Sequence, residues 1–103
     1  MARLKLNPEP TFKAKVGIPV PGSRPAEVEF TFKHKTRSQV LEWLKAREDD
    51  DEVGVFREIV AGWDLDDEFS DENIRRLCDN YAGAGFAVLE KYLNEIRGAR
   101  RGN

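Results

Sequence analysis

Cysteine, histidine and methionine occur once each among 103 residues, and no apolar run approaches the ~20 residues needed to cross a membrane as a helix. Cys78, standing alone, forms no internal disulfide, so packing has to hold the fold. Its place on a stripe with Ile74, Leu77 and Tyr81 points to a small buried thiol rather than a reactive one. His34 has no nucleophile or carboxylate set beside it by any sequence spacing. With no recognisable catalytic arrangement elsewhere, the expectation is a non-enzymatic protein that holds no metal and no cofactor. The opening Met1-Ala2-Arg3-Leu4-Lys5-Leu6 lacks a signal-peptide core, which predicts a cytoplasmic protein.

What the chain has in quantity is charge, at 35% of residues against 40% apolar, in a length that supports one domain around one core. The net charge of −2 conceals an asymmetry. Residues 1–47 hold ten Lys/Arg against four Asp/Glu, residues 48–95 hold four against fifteen, and residues 96–103 add three Arg. Charge runs are most often solvated faces, but this bipolar layout can also steer a charged partner or another copy of the chain.

Two segments alternate with a period of two. Phe12, Ala14, Val16, Ile18 and Val20 oppose Lys13 and Lys15, and Ala26, Val28, Phe30 and Phe32 oppose Glu27, Glu29, Thr31 and Lys33. Pro21-Gly22 between them suits a type II turn, so residues 11–35 read as an antiparallel β-hairpin whose register is open but brings Lys13 and Lys15 near Glu27 and Glu29. A lone hairpin is marginal and has to be covered. The cover reads as four helices within 36–97. Thr36-Arg37-Ser38-Gln39 fits a capping box ahead of Val40, Leu41, Trp43 and Leu44. After the acidic run of residues 48–52, Val53, Phe56, Ile59, Val60 and Trp63 form a second stripe. Ser70 is placed to cap a third helix, and Ala82-Gly83-Ala84-Gly85 to end it through a left-handed glycine. A fourth helix turns Phe86, Leu89, Leu93 and Ile96 inward, with Val88 and Tyr92 alongside. The prediction is thus an α+β fold, an N-terminal antiparallel hairpin packed on a bundle of about four helices. It forms a single domain over 1–103, with an extended lead-in at 1–10 and a frayed basic tail at 98–103.

The stretch Gly62-Trp63-Asp64-Leu65-Asp66-Asp67-Glu68-Phe69-Ser70 admits three readings: calcium loop, binding edge or helix junction. Asp64, Asp66 and Glu68 match the first three calcium-ligand positions, but Phe69 stands where the turn needs Gly and Arg75 where a bidentate Glu is needed. Junction is the stronger reading, with Phe69 as a staple against Ile74 ahead of the Ser70 cap. The Gly83-Ala84-Gly85 triplet follows a helix and lacks a third Gly, so it is no phosphate loop. Lys13, Lys15, Lys33, Lys35 and Arg37 could line a basic ribbon for nucleic acid, although Glu27 and Glu29 share that face and the acidic half would repel phosphate.

Taken in order, the Lys-rich strand pair with its Pro-Gly link, Phe30-Thr31-Phe32-Lys33 leading into a helix, Gly62-Trp63-Asp64, Phe69-Ser70-Asp71-Glu72-Asn73, Leu77, Tyr81 and a closing helix with Tyr92 resemble the tail assembly chaperones of long-tailed bacteriophages. The resemblance implies an assembly factor of the host cytoplasm, absent from the mature virion, that binds the tape measure protein and helps recruit tail tube subunits. It supplies no site residues. On physical grounds Trp63, Phe69 and Tyr92 are expected to border a groove for the partner, since aromatic side chains, Trp and Tyr with their polar tips above all, anchor interfaces. Self-association is compatible with the bipolar charge. The alternatives are a nucleic-acid-binding regulator using the basic hairpin, which the charge pattern makes the weaker reading, and a minor virion tail component.

Overall fold

Alternation of apolar and charged residues produces the two eight-residue strands it predicts. A computed structural model describes residues 4–46 and 51–98, so the acidic positions 48–50 and the tail beyond residue 98 lie outside the described residues. Strands β1 (Thr11–Ile18) and β2 (Ala26–Lys33) pair antiparallel with Phe12 opposite Phe32, Ala14 opposite Phe30 and Val16 opposite Val28. This register puts the apolar residues of both strands on one face. It aligns Lys15 with Glu29, but Lys13 with Thr31 and Glu27 with Gly17, so one of the two expected charge pairings is aligned. Gly22 has φ +77 and Ser23 N–H donates to Val20 C=O at 3.0 Å, the geometry of a type II turn with Pro21 at its second position.

Helix α1 (Arg37–Ala46) opens with the reciprocal capping box: Gln39 N–H donates to Thr36 Oγ1 at 3.1 Å, and Thr36 N–H donates to Gln39 Oε1 at 2.8 Å. It buries Val40 and Trp43. Helix α2 (Glu52–Ile59) starts at Asp51, whose carboxylate accepts from Gly54 N–H at 2.8 Å. The expected second helix does not continue to Trp63. Residues Val60–Trp63 instead form strand β3, which adds to β2 and completes a three-stranded antiparallel sheet in the order β1-β2-β3. The spacing of Phe56, Ile59, Val60 and Trp63 suits a helix, but Val60 and Gly62 are weak helix formers, and the open side of β2 offers backbone partners. The pairing sets Phe30 opposite Trp63 and Phe32 opposite Val60 with an irregularity between Thr31 and Phe32, so one extra residue keeps both apolar side chains inward.

Ser70 caps α3 (Asp71–Asn80) as expected, accepting from Asn73 N–H at 3.2 Å. The link to α4 (Ala84–Arg97) departs from expectation, because Gly83 sits at φ −87 and no left-handed residue closes α3. Space at Gly83 is tight: a Cβ there would lie 3.0 Å from the Pro19 ring, which would have to give by a few tenths of an ångström. Helix α4 is also rotated from the predicted face. Ala84, Val88 and Tyr92 are buried, Leu89, Leu93 and Ile96 pack at the margin, and Phe86 points outward at 71% exposure. The core lies between the apolar face of the sheet and the helices, with Phe30, Phe32, Phe56, Ile59 and Tyr92 almost fully buried.

A prebuilt groove between the hairpin and helix α3

Toward the turn end of the hairpin, Ile18 and Val28 face α3 across a groove of about 370 Å³. Val20 and Ala26 extend the hairpin wall, Leu77 and Tyr81 form the helical wall, and Trp63 with Leu65 closes the end beside the acidic loop. Side-chain to backbone hydrogen bonds fix that closing end. Trp63 Nε1–H donates to Asp67 C=O at 2.8 Å, and Asn73 Nδ2–H donates to Glu68 C=O at 2.8 Å. Asp64 extends the sheet by one rung: its N–H donates to Glu29 C=O at 3.1 Å, while its carboxylate accepts from Glu29 N–H at 3.0 Å. The segment compared with a calcium loop therefore ties itself to β2 through Asp64 and to α3 through the Glu68 carbonyl, with the Asp66, Asp67 and Glu68 side chains exposed. Among the described residues no cluster of three or more His, Cys, Asp or Glu is arranged to hold a metal ion. A groove wall held this way is largely organised before a partner arrives, which lowers the ordering cost of binding.

The three residues expected at a binding site fall in different places. Trp63 is half-buried and lines the groove. Phe69 stands behind it, packed edge-on with ring centroids 5.1 Å apart, and the Arg57 guanidinium lies over the Phe69 ring, 4.9 Å from its centroid. Arg57 is in turn held by Asp71 at 2.6 Å. Phe69 thus braces Trp63 rather than lining the cavity. Tyr92 does not border any groove, contrary to expectation. It is fully buried among Phe12, Phe32 and Trp43, and its hydroxyl donates to Lys33 C=O at 2.8 Å, because α4 turns its Ala84-Val88-Tyr92 side inward. Ile18, Val28, Leu65 and Leu77 were not singled out as site residues. Strand alternation already put Ile18 and Val28 on the inner face, but nothing local says that the covering helices leave a gap there.

Two buried acids titrate abnormally. Burial pushes the Tyr92 phenol up to about 12, aided by the negative charge of Glu58. Cys78 is buried as expected, and its thiol is pushed up to about 12 by burial, then by the charge of Glu52 and a hydrogen bond with it. A thiol so raised stays protonated and is a poor nucleophile at neutral pH. The charged groups lining the groove are Asp67 and Arg76, and Asp64, Asp66 and Glu68 are exposed on the same loop as Asp67. Lys33 Nζ–H donates to Arg57 C=O at 2.8 Å and Lys35 pairs with Glu58 at 2.7 Å, which ties two cations of the expected basic ribbon to α2.

Fold and groove together define a small α+β domain that carries a preformed apolar cleft beside an acidic loop. The chain belongs to the phage tail assembly chaperone family, whose model matches residues 1–103. No curated protein and no solved structure matches it. Among the described residues no helix is long and apolar enough to cross a membrane.

Proposed function

We propose that the protein acts without chemistry of its own, holding the tape measure protein through the groove and helping to bring tail tube subunits to it. Membership of the tail assembly chaperone family supports the general role. The observation that carries the specific reading is the groove itself, an apolar cleft walled by Leu77 and Tyr81 on one side and Ile18 and Val28 on the other, with Asp64, Asp66, Asp67 and Glu68 nearby. Such a surface suits one apolar stripe of an amphipathic client helix whose flanks are basic. Trp63 and Leu65 would meet the end of that stripe, and Phe69 would hold Trp63 in place. The work is done in the host cytoplasm, and the protein leaves before the virion is complete.

The nucleic-acid alternative is weakened because Lys33 and Lys35 are occupied by α2, leaving Arg37 at the start of α1 and Lys13 and Lys15 on a strand face shared with Glu27 and Glu29. The test is co-expression of tagged protein with the tape measure protein of its phage, followed by recovery on the tag. The native protein is expected to retain the tape measure protein. Leu65→Asp, at a position 36% exposed, should release it with the thermal transition unchanged. Equal recovery by both proteins would remove the groove from the account.

A further inference from the structure

The sheet has a long unpaired edge. In the ladder between β1 and β2, His34 N–H donates to Pro10 C=O at 2.8 Å, which makes that pair a hydrogen-bonded one. Antiparallel pairs alternate between hydrogen-bonded and open. Phe12, Ala14, Val16 and Ile18 therefore turn their N–H and C=O groups toward β2, while Thr11, Lys13, Lys15 and Gly17 turn theirs away from the sheet. The other side of β2 obeys the same alternation, since Glu29 gives both its backbone groups to Asp64. No strand lies beyond β1 among the described residues, and Thr11, Lys13, Lys15 and Gly17 are all exposed. Exposure of Gly17, which has no side chain, is exposure of the backbone.

We propose that this β1 edge is a second docking surface, separate from the groove, which takes an extended segment of another protein in which acidic residues alternate with apolar ones. Its length favours the role: β1 offers eight residues, whereas the opposite edge, β3, has four and an irregular pairing. Charge sets the sequence of the guest. Lys13 and Lys15 project from the solvent face and form no ion pair among the described residues. Acidic side chains of an added strand would lie beside them on that face. Its alternate residues would fall on the inner face next to Phe12 and Ala14, which the sheet and α4 leave half-buried. Cross-strand neighbours of opposite charge stabilise a pairing and like charges oppose it. A second copy of β1 is accordingly a poor guest, because the antiparallel register that pairs the edge residues, Thr11 with Gly17, sets Lys13 against Lys15. Lysines on an edge deter indiscriminate pairing, and the same two lysines select an acidic strand.

Amide hydrogen exchange of the full chain, followed by NMR, tests this with a seven-residue synthetic peptide of alternating Val and Glu. In the free protein the amides of Thr11, Lys13, Lys15 and Gly17 should exchange fast and those of Phe12, Ala14 and Val16 slowly. At saturating peptide the first set should slow by about tenfold or more. A peptide with Lys in place of Glu should not do this to the native protein, but should do so with the K13E/K15E variant, whose exposed substitutions leave the core intact. The proposal is overturned if the four edge amides are already slow in the free protein, if they stay fast at saturating peptide, or if both peptides protect them equally. Peptide shifts centred on Leu77 and Tyr81 without edge protection would also overturn it, by assigning the binding to the groove.

Discussion

Replacing Tyr92 with Phe removes one oxygen from a ring that is otherwise held by Phe12, Phe32 and Trp43 at centroid distances of 6.0, 5.4 and 6.2 Å. The ring contacts persist and no cavity opens, so the loss reduces to the hydrogen bond given to Lys33 C=O at 2.8 Å. A net value of about 1 kcal/mol follows, or roughly 4–8 °C in Tm for a domain of this size. Urea unfolding should show a lower midpoint at unchanged slope. Alkaline pH supplies a second dimension. The folded phenol holds its proton up to about 12 against 10.0 in the ordinary case, so neutral Tyr92 stabilises the fold fully below pH 10, and that stability is lost as pH rises through 12. At about 1.4 kcal/mol per pH unit the native protein loses about 1.4 kcal/mol from this group by about pH 11, which cancels its advantage over the variant. The Cys78 thiol, raised to about 12, also contributes stability that is lost between 9.0 and 12, but it is common to both proteins and drops out of the difference. The two stability curves should therefore cross near about pH 11, with Y92F the more stable above it. A constant difference across that range, or a neutral-pH loss above ~3 kcal/mol, would refute the assignment of Tyr92 as a hydrogen-bonded core residue.

Two further substitutions probe local structure. Ser70→Ala removes the acceptor for Asn73 N–H and should lower stability by about 1 kcal/mol in chemical denaturation; no loss would mean that the cap does not hold α3 in solution. Gly22→Ala places a side chain at φ +77 and should lower stability by about 1 kcal/mol through backbone strain, since nothing lies within 4 Å of its Cβ to obstruct it. A neutral result there would contradict the type II turn.

The hairpin and the caps were legible because their signals are local. Period-two alternation named both strands, Pro21-Gly22 named the turn, and Thr36/Gln39 and Ser70 named two helix starts. Strand β3 was hidden because Phe56, Ile59, Val60 and Trp63 satisfy a helical period, while the competing attraction, the unpaired side of β2, comes from residues about thirty positions away. The face of α4 was misread for a related reason. Phe86 and Val88 are both apolar, and only the packing of the folded chain buries Val88 while leaving Phe86 exposed. Of the candidate site, Trp63 could be found from sequence as an aromatic at a specified turn. Tyr92 looked equivalent on composition and differs only through packing. The groove is made by the hairpin, the acidic loop and α3 together, and no local pattern encodes where three such elements leave a gap.

Site-specific photo-crosslinking tests the central claim most directly. A photoreactive residue is placed at Leu65 in the groove or, as a control, at Phe86 on the exposed side of α4, and the protein is irradiated in cells assembling the phage. The account predicts that the Leu65 probe attaches to the tape measure protein and that the Phe86 probe does not. Tape measure adducts from Phe86 but none from Leu65 would contradict it.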